Sequence, residues 1–131
     1  MAHKTYDPWD WAKGFGFSHG VEITRPDRLL EVSGQCATGP DGSPQHPGDM
    51  RAQMAQAVAN IEAVLSDAGL GAADVVRIRV FSTDVGATLE AWDALIGHFN
   101  NADCRPAATL VGVTALFHPE LLVEIEATAV G

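Results

Sequence analysis

The segment Leu121-Leu-Val-Glu-Ile-Glu-Ala-Thr-Ala-Val130 alternates between two kinds of side chain, and this alternation guides the interpretation of the whole chain. Successive side chains of a β-strand point to opposite faces of the sheet. One predicted face is apolar and carries Leu121, Val123, Ile125, Ala127 and Ala129. The other predicted face carries Leu122, Glu124, Glu126 and Thr128. Two carboxylates on one strand face predict either a solvated surface or a charged site that a partner covers.

A second β-type run precedes this strand and reads Arg105-Pro-Ala-Ala-Thr-Leu-Val-Gly-Val-Thr-Ala-Leu116. A short Phe-His-Pro-Glu segment separates the two runs. Two β-type runs joined by a short turn segment predict a β-hairpin with a long loop. A similar hairpin is predicted earlier in the chain, between a β-type pattern at 15–24 and a second arm at 28–33.

The length and composition indicate one folded domain, residues 1–131. A chain of 131 residues with 47% hydrophobic content can bury a substantial core. The formal net charge of −9 disfavours a nucleic acid partner, because phosphate contacts need clustered Lys and Arg. The N-terminus lacks the apolar segment of a signal peptide, and no run is long enough to span a bilayer. We expect a cytoplasmic protein with no membrane partner.

Neither the cysteines nor the histidines suggest a bound metal. Cys36 and Cys104 show no metal-ligand spacing and are expected to be reduced thiols. The histidines at positions 3, 46, 98 and 118 are scattered along the chain. The sequence therefore predicts no metal site and no other cofactor.

The most regular helical pattern lies at about 49–68. Asp49 is predicted as the N-cap, and Gly69 is suited to the left-handed conformation that ends a helix. A second helix is predicted at about 87–100, and a strand at 75–83. The predicted order is β-β-α-β-α-β-β. It indicates an α+β fold with a single mixed sheet and two helices on one face.

Such a fold leaves the other face of the sheet uncovered. That face would carry Arg77 and Arg79 together with Glu124 and Glu126. A surface that mixes both charge signs with apolar residues is typical of a subunit interface, in which cross-strand ion pairs satisfy the charges. We expect a homo-oligomer with interface ion pairs from Arg77, Arg79 and Glu126, and the alternative is a solvated face. Glu124 could pair with either arginine.

The two C-terminal runs together resemble the signature of the Rid (RidA, YjgF) proteins. Shorter matches follow in the same order along the chain, namely Gly20-Val21, Ser33-Gly34-Gln35, Asn60-Ile61, Ala68-Gly69-Leu70, Val80-Phe81 and Asp84. The resemblance implies a chorismate-mutase-like (RidA-like) fold, assembled as a homotrimer with a small-molecule ligand in the clefts between subunits. Active members of the family hydrolyse enamines and imines such as 2-aminoacrylate to a keto acid and ammonia.

The resemblance also implies that this chain has lost a key side chain. The family's arginine, which grips the substrate carboxylate, corresponds to Ala108. Arg105 matches a different, non-catalytic position. Phe17 stands where the family has tyrosine, Trp92 where it has asparagine, and Leu110 where it has cysteine. These changes predict a more apolar site, with weak or no activity on 2-aminoacrylate or 2-iminopropionate.

Several residues keep two interpretations. Glu124 matches the family residue associated with positioning the attacking water, or it serves only as an ion-pair partner. Trp92 either stacks on a planar ligand or belongs to the core. Cys36 either borders the site, with His19 as the nearest base in the sequence, or is a buried inert thiol. The remaining residues predicted to line the ligand site are Phe17, Ser33, Gly34, Ala108, Thr109 and Leu110.

The resulting functional hypothesis is a ligand-binding Rid-like trimer that hydrolyses an imine or enamine of one metabolite. The alternative is a non-catalytic ligand-binding or chaperone-like trimer that keeps the fold. Nuclease activity, sometimes attributed to relatives, is disfavoured because the eight Lys and Arg residues are thinly spread.

Overall fold

A computed structural model describes residues 3–131 of the chain. In chain order the strands are β1 (His3–Tyr6), β2 (Gly20–Ile23), β3 (Leu29–Gln35), β4 (Val75–Ser82), β5 (Ala107–Gly112) and β6 (Val123–Val130). The α-helices are α1 (Trp11–Gly14), α2 (Met50–Asp67), α3 (Val85–Glu90) and α4 (Trp92–Asn101). A short 3-10 turn, Ala72–Asp74, precedes β4.

The main sheet is four-stranded, with the order β3-β6-β4-β5. Strand β5 runs parallel to β4, whereas β6 is antiparallel to both β3 and β4. Strands β1 and β2 form a separate antiparallel pair. This mixed sheet with its helices confirms the predicted α+β class.

Both predicted hairpins are wrong. Strand β6 lies between β3 and β4, so it is not a neighbour of β5. The helices α3 and α4 connect β4 to β5 as a crossover, which is the connection that parallel strands require. Strand β2 pairs with β1 rather than with β3. Both predictions pair segments that adjoin in sequence. In the structure β5 pairs with β4 instead of β6, and β2 pairs with β1 instead of β3.

Helix α2 and helix α4 cover one face of the main sheet, as predicted. The alternation of β6 is confirmed, because Val123, Ile125 and Ala129 are fully buried on that face. The core between sheet and helices includes large side chains of α2, α4 and β4, namely Met54, Ile61, Leu65, Ile78, Val80, Leu95 and Phe99.

The predicted ends of α2 are confirmed. The Asp49 carboxylate accepts from the backbone N–H of Ala52 at 3.0 Å, as an N-cap does. Gly69 has φ +74°, and the backbone N–H of Leu70 returns to the carbonyl of Leu65 at 2.8 Å. The sequence signals at both ends of this helix therefore correspond to hydrogen bonds in the structure.

The single helix predicted at 87–100 is wrong, because two helices meet at Ala91. Asp84 caps the first of them by accepting from Ala87 N–H at 3.0 Å. The carbonyl of Glu90 accepts from the Arg51 guanidinium at 3.1 Å, and Ala94 N–H bonds to the Ala91 carbonyl instead. The break leaves the first helix shorter, and Leu89 is 52% exposed rather than buried on a continuous stripe.

Candidate functional site

The register of the main sheet divides the predicted site residues between its two faces. Ala108 pairs with Ile78, and Leu110 pairs with Val80, which places both on the helix-covered face. Glu124 pairs with Phe81, and this pair is adjacent along the strands to the buried pair of Val80 and Ile125. Because paired residues point to the same side of a sheet, Glu124 lies on the opposite, uncovered face.

An apolar groove lies on the helix-covered side of β5. We use the term "apolar groove" for the cavity of about 210 Å³ lined by Trp11, Phe15, Phe17, Leu89, Trp92, Ala108 and Leu110. None of these side chains is ionisable, and four of them are aromatic. The groove can therefore hold an apolar or planar group, but its lining offers no cation to a carboxylate ligand.

Trp92 packs in the core, as one of its two interpretations predicts, and it also forms a wall of the groove; stacking on a planar ligand stays a prediction. It is only 9% exposed and packs in the main hydrophobic cluster. Its Nε1–H donates to the carbonyl of Phe15 at 2.9 Å. Because that donor is already used, the indole presents an apolar ring to the groove.

A tight turn brings the aromatic residues of the N-terminal segment onto α4. Gly16 has φ +75°, and a Cβ at this position would lie 2.7 Å from the Cβ of Ile96. Only glycine fits that conformation and that approach without displacing the helix. The turn places Phe15 and Phe17 along the groove, and Trp11 contacts both rings edge-on at centroid distances of 6.3 and 5.6 Å.

Arg105 anchors this segment, a role that the sequence analysis did not assign. Its guanidinium donates to the Asp7 carboxylate and to the carbonyl of Phe17, both at 3.1 Å. The Asp7 carboxylate also accepts from the backbone N–H of His19 at 3.0 Å. Ser18 reinforces the connection, since its hydroxyl donates to the Arg105 carbonyl at 2.6 Å. No local pattern signals contacts between residues so far apart in sequence.

The pKa of the Asp7 carboxyl is lowered by these contacts. The hydrogen bond from His19 N–H is the largest cause, and Arg105 adds a hydrogen bond and its positive charge. Burial acts in the opposite direction and only partly offsets them. Asp7 therefore holds the N-terminal segment as a carboxylate anion.

On the uncovered face Glu124 contacts a thiol rather than an arginine. Its Oε1 accepts from the Sγ of Cys36 at 3.2 Å. Within residues 3–131, no hydrogen bond or ion pair joins Glu124 to an arginine, so the predicted pairing with Arg77 or Arg79 is wrong. Arg79 instead pairs with Glu126 at 2.8 Å, which agrees with the predicted cross-strand Arg–Glu pairing. The ion pair predicted for Arg77 is not found within residues 3–131, because its guanidinium donates to the hydroxyl of Thr109 at 2.9 Å. A subunit interface at these residues stays a prediction.

Gly34 lies directly against the same carboxylate. A Cβ at this position would lie 2.2 Å from Oε2 of Glu124. Cys36 is 3% exposed, and burial together with the adjacent Glu124 raises the pKa of its thiol to about 12. The thiol is therefore protonated at neutral pH and acts as a donor, which agrees with the prediction of a buried, unreactive cysteine.

The predicted ligand residues are thus not brought together within one chain. Phe17, Trp92, Ala108 and Leu110 line the apolar groove. Ser33 instead borders a depression of about 170 Å³ on the uncovered face, which Arg77, Arg79 and Glu126 also line. The hydroxyl of Thr109 is on that face as well, bound to Arg77. The sheet itself separates the two groups.

Among residues 3–131, no group of three or more His, Cys, Asp or Glu side chains could hold a metal ion. Over the same residues, no helix combines the length and the apolar character needed to cross a membrane.

Comparison with known proteins gives consistent matches over most of the chain. The family model described as Endoribonuclease L-PSP matches residues 14–131. YyfB, a Rid-family protein from Yersinia pestis, is 40% identical in sequence to this chain. Its crystal structure matches this fold with a TM-score of 0.90, and the match covers 99% of each chain.

Two further relatives have informative names. The 2-iminobutanoate/2-iminopropanoate deaminase of Escherichia coli is 34% identical over 117 residues, which are 87% of this chain and 86% of that protein. E. coli TdcF, whose crystal structure contains bound serine, is 26% identical in sequence to this chain. The two structures match with a TM-score of 0.72 over 88% of this chain and 87% of TdcF.

Proposed function

The chain belongs to the Rid family, and on that premise we propose that it binds a small, weakly acidic or uncharged organic ligand between the subunits of a homotrimer. The reaction of this site is hydrolysis of the imine or enamine form of that ligand. The observation that carries this proposal is the apolar groove, whose seven lining side chains include no charged group. The E. coli deaminase supports the reaction class, and the serine bound to TdcF supports a small ligand.

The separation of the two residue groups supports an assembly in which neighbouring chains share each site. A cyclic trimer has head-to-tail contacts, so one surface of each chain meets a different surface of the next chain. Such a contact can join the apolar groove of one chain to the Glu124 carboxylate of its neighbour. It would also cover the mixed charges of the open sheet face, including the half-exposed pair of Arg79 and Glu126.

Within such a site Glu124 would act on water. Its carboxylate accepts a proton from the water molecule as the oxygen adds to the imine carbon, and the imine nitrogen takes up a proton. The resulting carbinolamine loses ammonia and leaves a carbonyl product. The apolar groove holds the organic substituent and excludes bulk water, while Glu124 supplies the general base.

Restoring the arginine tests the assigned specificity. We expect Ala108→Arg to accelerate hydrolysis of 2-iminopropionate, generated in situ and followed by ammonia release. A charge-assisted pair contributes about 1.5–3 kcal/mol, which corresponds to about 10- to 150-fold in substrate binding. The matched control is Ala108→Met, which adds similar length without charge and should give no gain. Efficient hydrolysis by the unmodified protein would contradict the proposed preference.

A matched pair of ligands tests the same preference by binding. Benzamide and benzoate share a ring and differ in charge, and Trp92 and Trp11 provide fluorescence beside the groove. We expect the neutral amide to bind more tightly than the carboxylate. The order should reverse in Ala108→Arg. Equal affinities in both proteins would contradict a role for position 108 in charge selection.

The proposed role of Glu124 is tested on an imine of an aromatic aldehyde, whose hydrolysis is followed by its ultraviolet absorbance. Loss of a general base typically costs about 10²- to 10⁴-fold in rate, and Glu124→Gln should show such a loss. The control is Glu126→Gln, which lies on the same strand and face, and it is assayed at a protein concentration at which it is fully assembled. Light scattering must show that Glu124→Gln assembles normally. A loss of assembly would assign Glu124 to structure.

A non-catalytic, ligand-binding trimer is the second candidate, favoured by the absence of a charged group in the groove lining. It predicts binding of benzamide with no Glu124-dependent hydrolysis. We do not propose ribonuclease activity despite the family description, because the net charge of −9 opposes binding to phosphates. RNA binding at low salt would overturn this exclusion.

A further inference from the structure

The carboxylate of Glu124 is held from two sides by residues near the end of β3. The Cys36 thiol donates to Oε1 at 3.2 Å. The Cα of Gly34 packs so closely that an added Cβ would lie 2.2 Å from Oε2. The two contacts restrict rotation of the carboxylate, because one oxygen is bound and the other lies against the backbone.

We propose that Cys36 is a positioning residue, whose thiol fixes the orientation of the Glu124 carboxylate and leaves Oε2, which accepts no hydrogen bond from residues 3–131, to water or ligand. This inference rests on the proposed function of Glu124. It assigns Cys36 no contact with substrate and no covalent step. A precise orientation of the acceptor oxygen matters, because a misplacement of about 1 Å can reduce a rate by about 10²-fold.

The thiol is suited to this task because it remains protonated. Burial and the neighbouring carboxylate raise the pKa of Cys36 to about 12, so the S–H group donates throughout the neutral range. Cys36 packs against Ala37 and Leu121 in a small cluster apart from the main core. That packing holds the sulfur in place without a contribution from Glu124, so the thiol can fix the position of the carboxylate.

Cys104 provides an internal control for the spectroscopic test. It is also a buried free thiol, and it also donates at 3.2 Å, but its acceptor is the backbone carbonyl of Val75. In Cys104→Ala the infrared S–H stretching band belongs to Cys36 alone. We expect this band to move to higher wavenumber when Glu124→Ala is added, and to stay in place when Glu126→Ala is added. An unmoved band in Cys104→Ala/Glu124→Ala would overturn the proposal.

The functional test separates this proposal from the proposed hydrolysis. On the aromatic imine, Cys36→Ala should lower kcat by about tenfold or more with KM little changed. Cys36→Ser keeps a donor and should recover most of the rate, whereas Cys104→Ala should retain the original rate.

The possible failures can be told apart. A rate that depends on Glu124 but not on Cys36 would overturn the positioning role and leave the hydrolysis intact. If no imine is hydrolysed, the proposed activity fails, and the S–H band still decides whether Cys36 holds the carboxylate.

Discussion

The two faces of the main sheet are built from the same strands and differ in polarity, in charge and in whether helices cover them. The helix-covered face is apolar and packs against α2 and α4, and the apolar groove opens beside β5. The other face carries Arg77, Arg79, Glu124 and Glu126 on β4 and β6. The helix-covered face stabilises the single chain by burying apolar side chains. The other face mixes both charge signs, and in the proposed trimer a neighbouring subunit would cover it.

The largest expected effect of a substitution is on the covered face. Ile125→Ala removes a fully buried side chain of β6 and should lower the free energy of unfolding by about 2–5 kcal/mol. The control is Thr128→Ala on the open face of the same strand, where only a hydrogen bond to Glu31 is lost, at a cost of about 1 kcal/mol. Chemical denaturation measures both. Similar losses would show that the two faces do not differ as described.

Gly34→Ala tests the packing of the open face around Glu124. The new methyl group must displace the carboxylate, because its Cβ would lie 2.2 Å from Oε2. We expect a loss of about 1–3 kcal/mol in unfolding free energy, together with loss of the contact from Cys36. The control is Gly97→Ala in α4, where a Cβ meets no atom within 4 Å. That change should stabilise the helix by about 0.5–1 kcal/mol. Unchanged stability of Gly34→Ala would contradict the packing.

Asp7→Asn tests the anchor of the N-terminal segment beside the groove. The lowered pKa of Asp7 means that its contribution to stability is present above the ordinary pKa of 3.8 and is lost as the pH falls through the folded-state value. The original protein should therefore unfold at a higher temperature than Asp7→Asn at pH 7, and the gap should close in acid. Thermal unfolding over a pH series measures this, and a gap that persists in acid would contradict the assignment.

The smallest expected change in the folding free energy of a single chain comes from a substitution in the ion pair of the open face. Both side chains of Arg79 and Glu126 are partly exposed, so the pair contributes only about 0–1 kcal/mol to folding. Glu126→Gln should nevertheless weaken self-association, because a covering subunit would leave Arg79 desolvated without its partner. Sedimentation over a range of protein concentrations measures this. An unchanged association equilibrium would show that this pair lies outside any subunit contact.

The sequence could predict those features that depend on local chemistry. Asp49 and Gly69 marked the ends of α2, since capping uses residues adjacent to the helix. The alternation in β6 predicted which side chains are buried, because it depends only on strand geometry. The pair of Arg79 and Glu126 followed from the same alternation, applied to two strands with opposite charges.

Features that depend on distant contacts could not be predicted. The hairpins were wrong because strand order reflects the packing of the whole sheet. At the break beside Ala91, the Glu90 carbonyl accepts from Arg51, which reaches across from α2. The thiol contact of Glu124 joins residues 36 and 124, and no periodicity in either segment indicates it.

The central position of β6 also has a consequence for how the protein forms. Strand β6 comes after the other strands described in residues 3–131, and it pairs with β3 on one side and β4 on the other, so that Leu29 lies opposite Val130. During synthesis β3 therefore has no partner strand, and β4 can pair only with β5, until residues 123–130 are complete, so the pairing of β3 requires the closure of a long loop. A chain that stops before residue 123 would expose two unpaired strand edges, which are templates for aggregation. The order of synthesis therefore adds an interior strand of this sheet last.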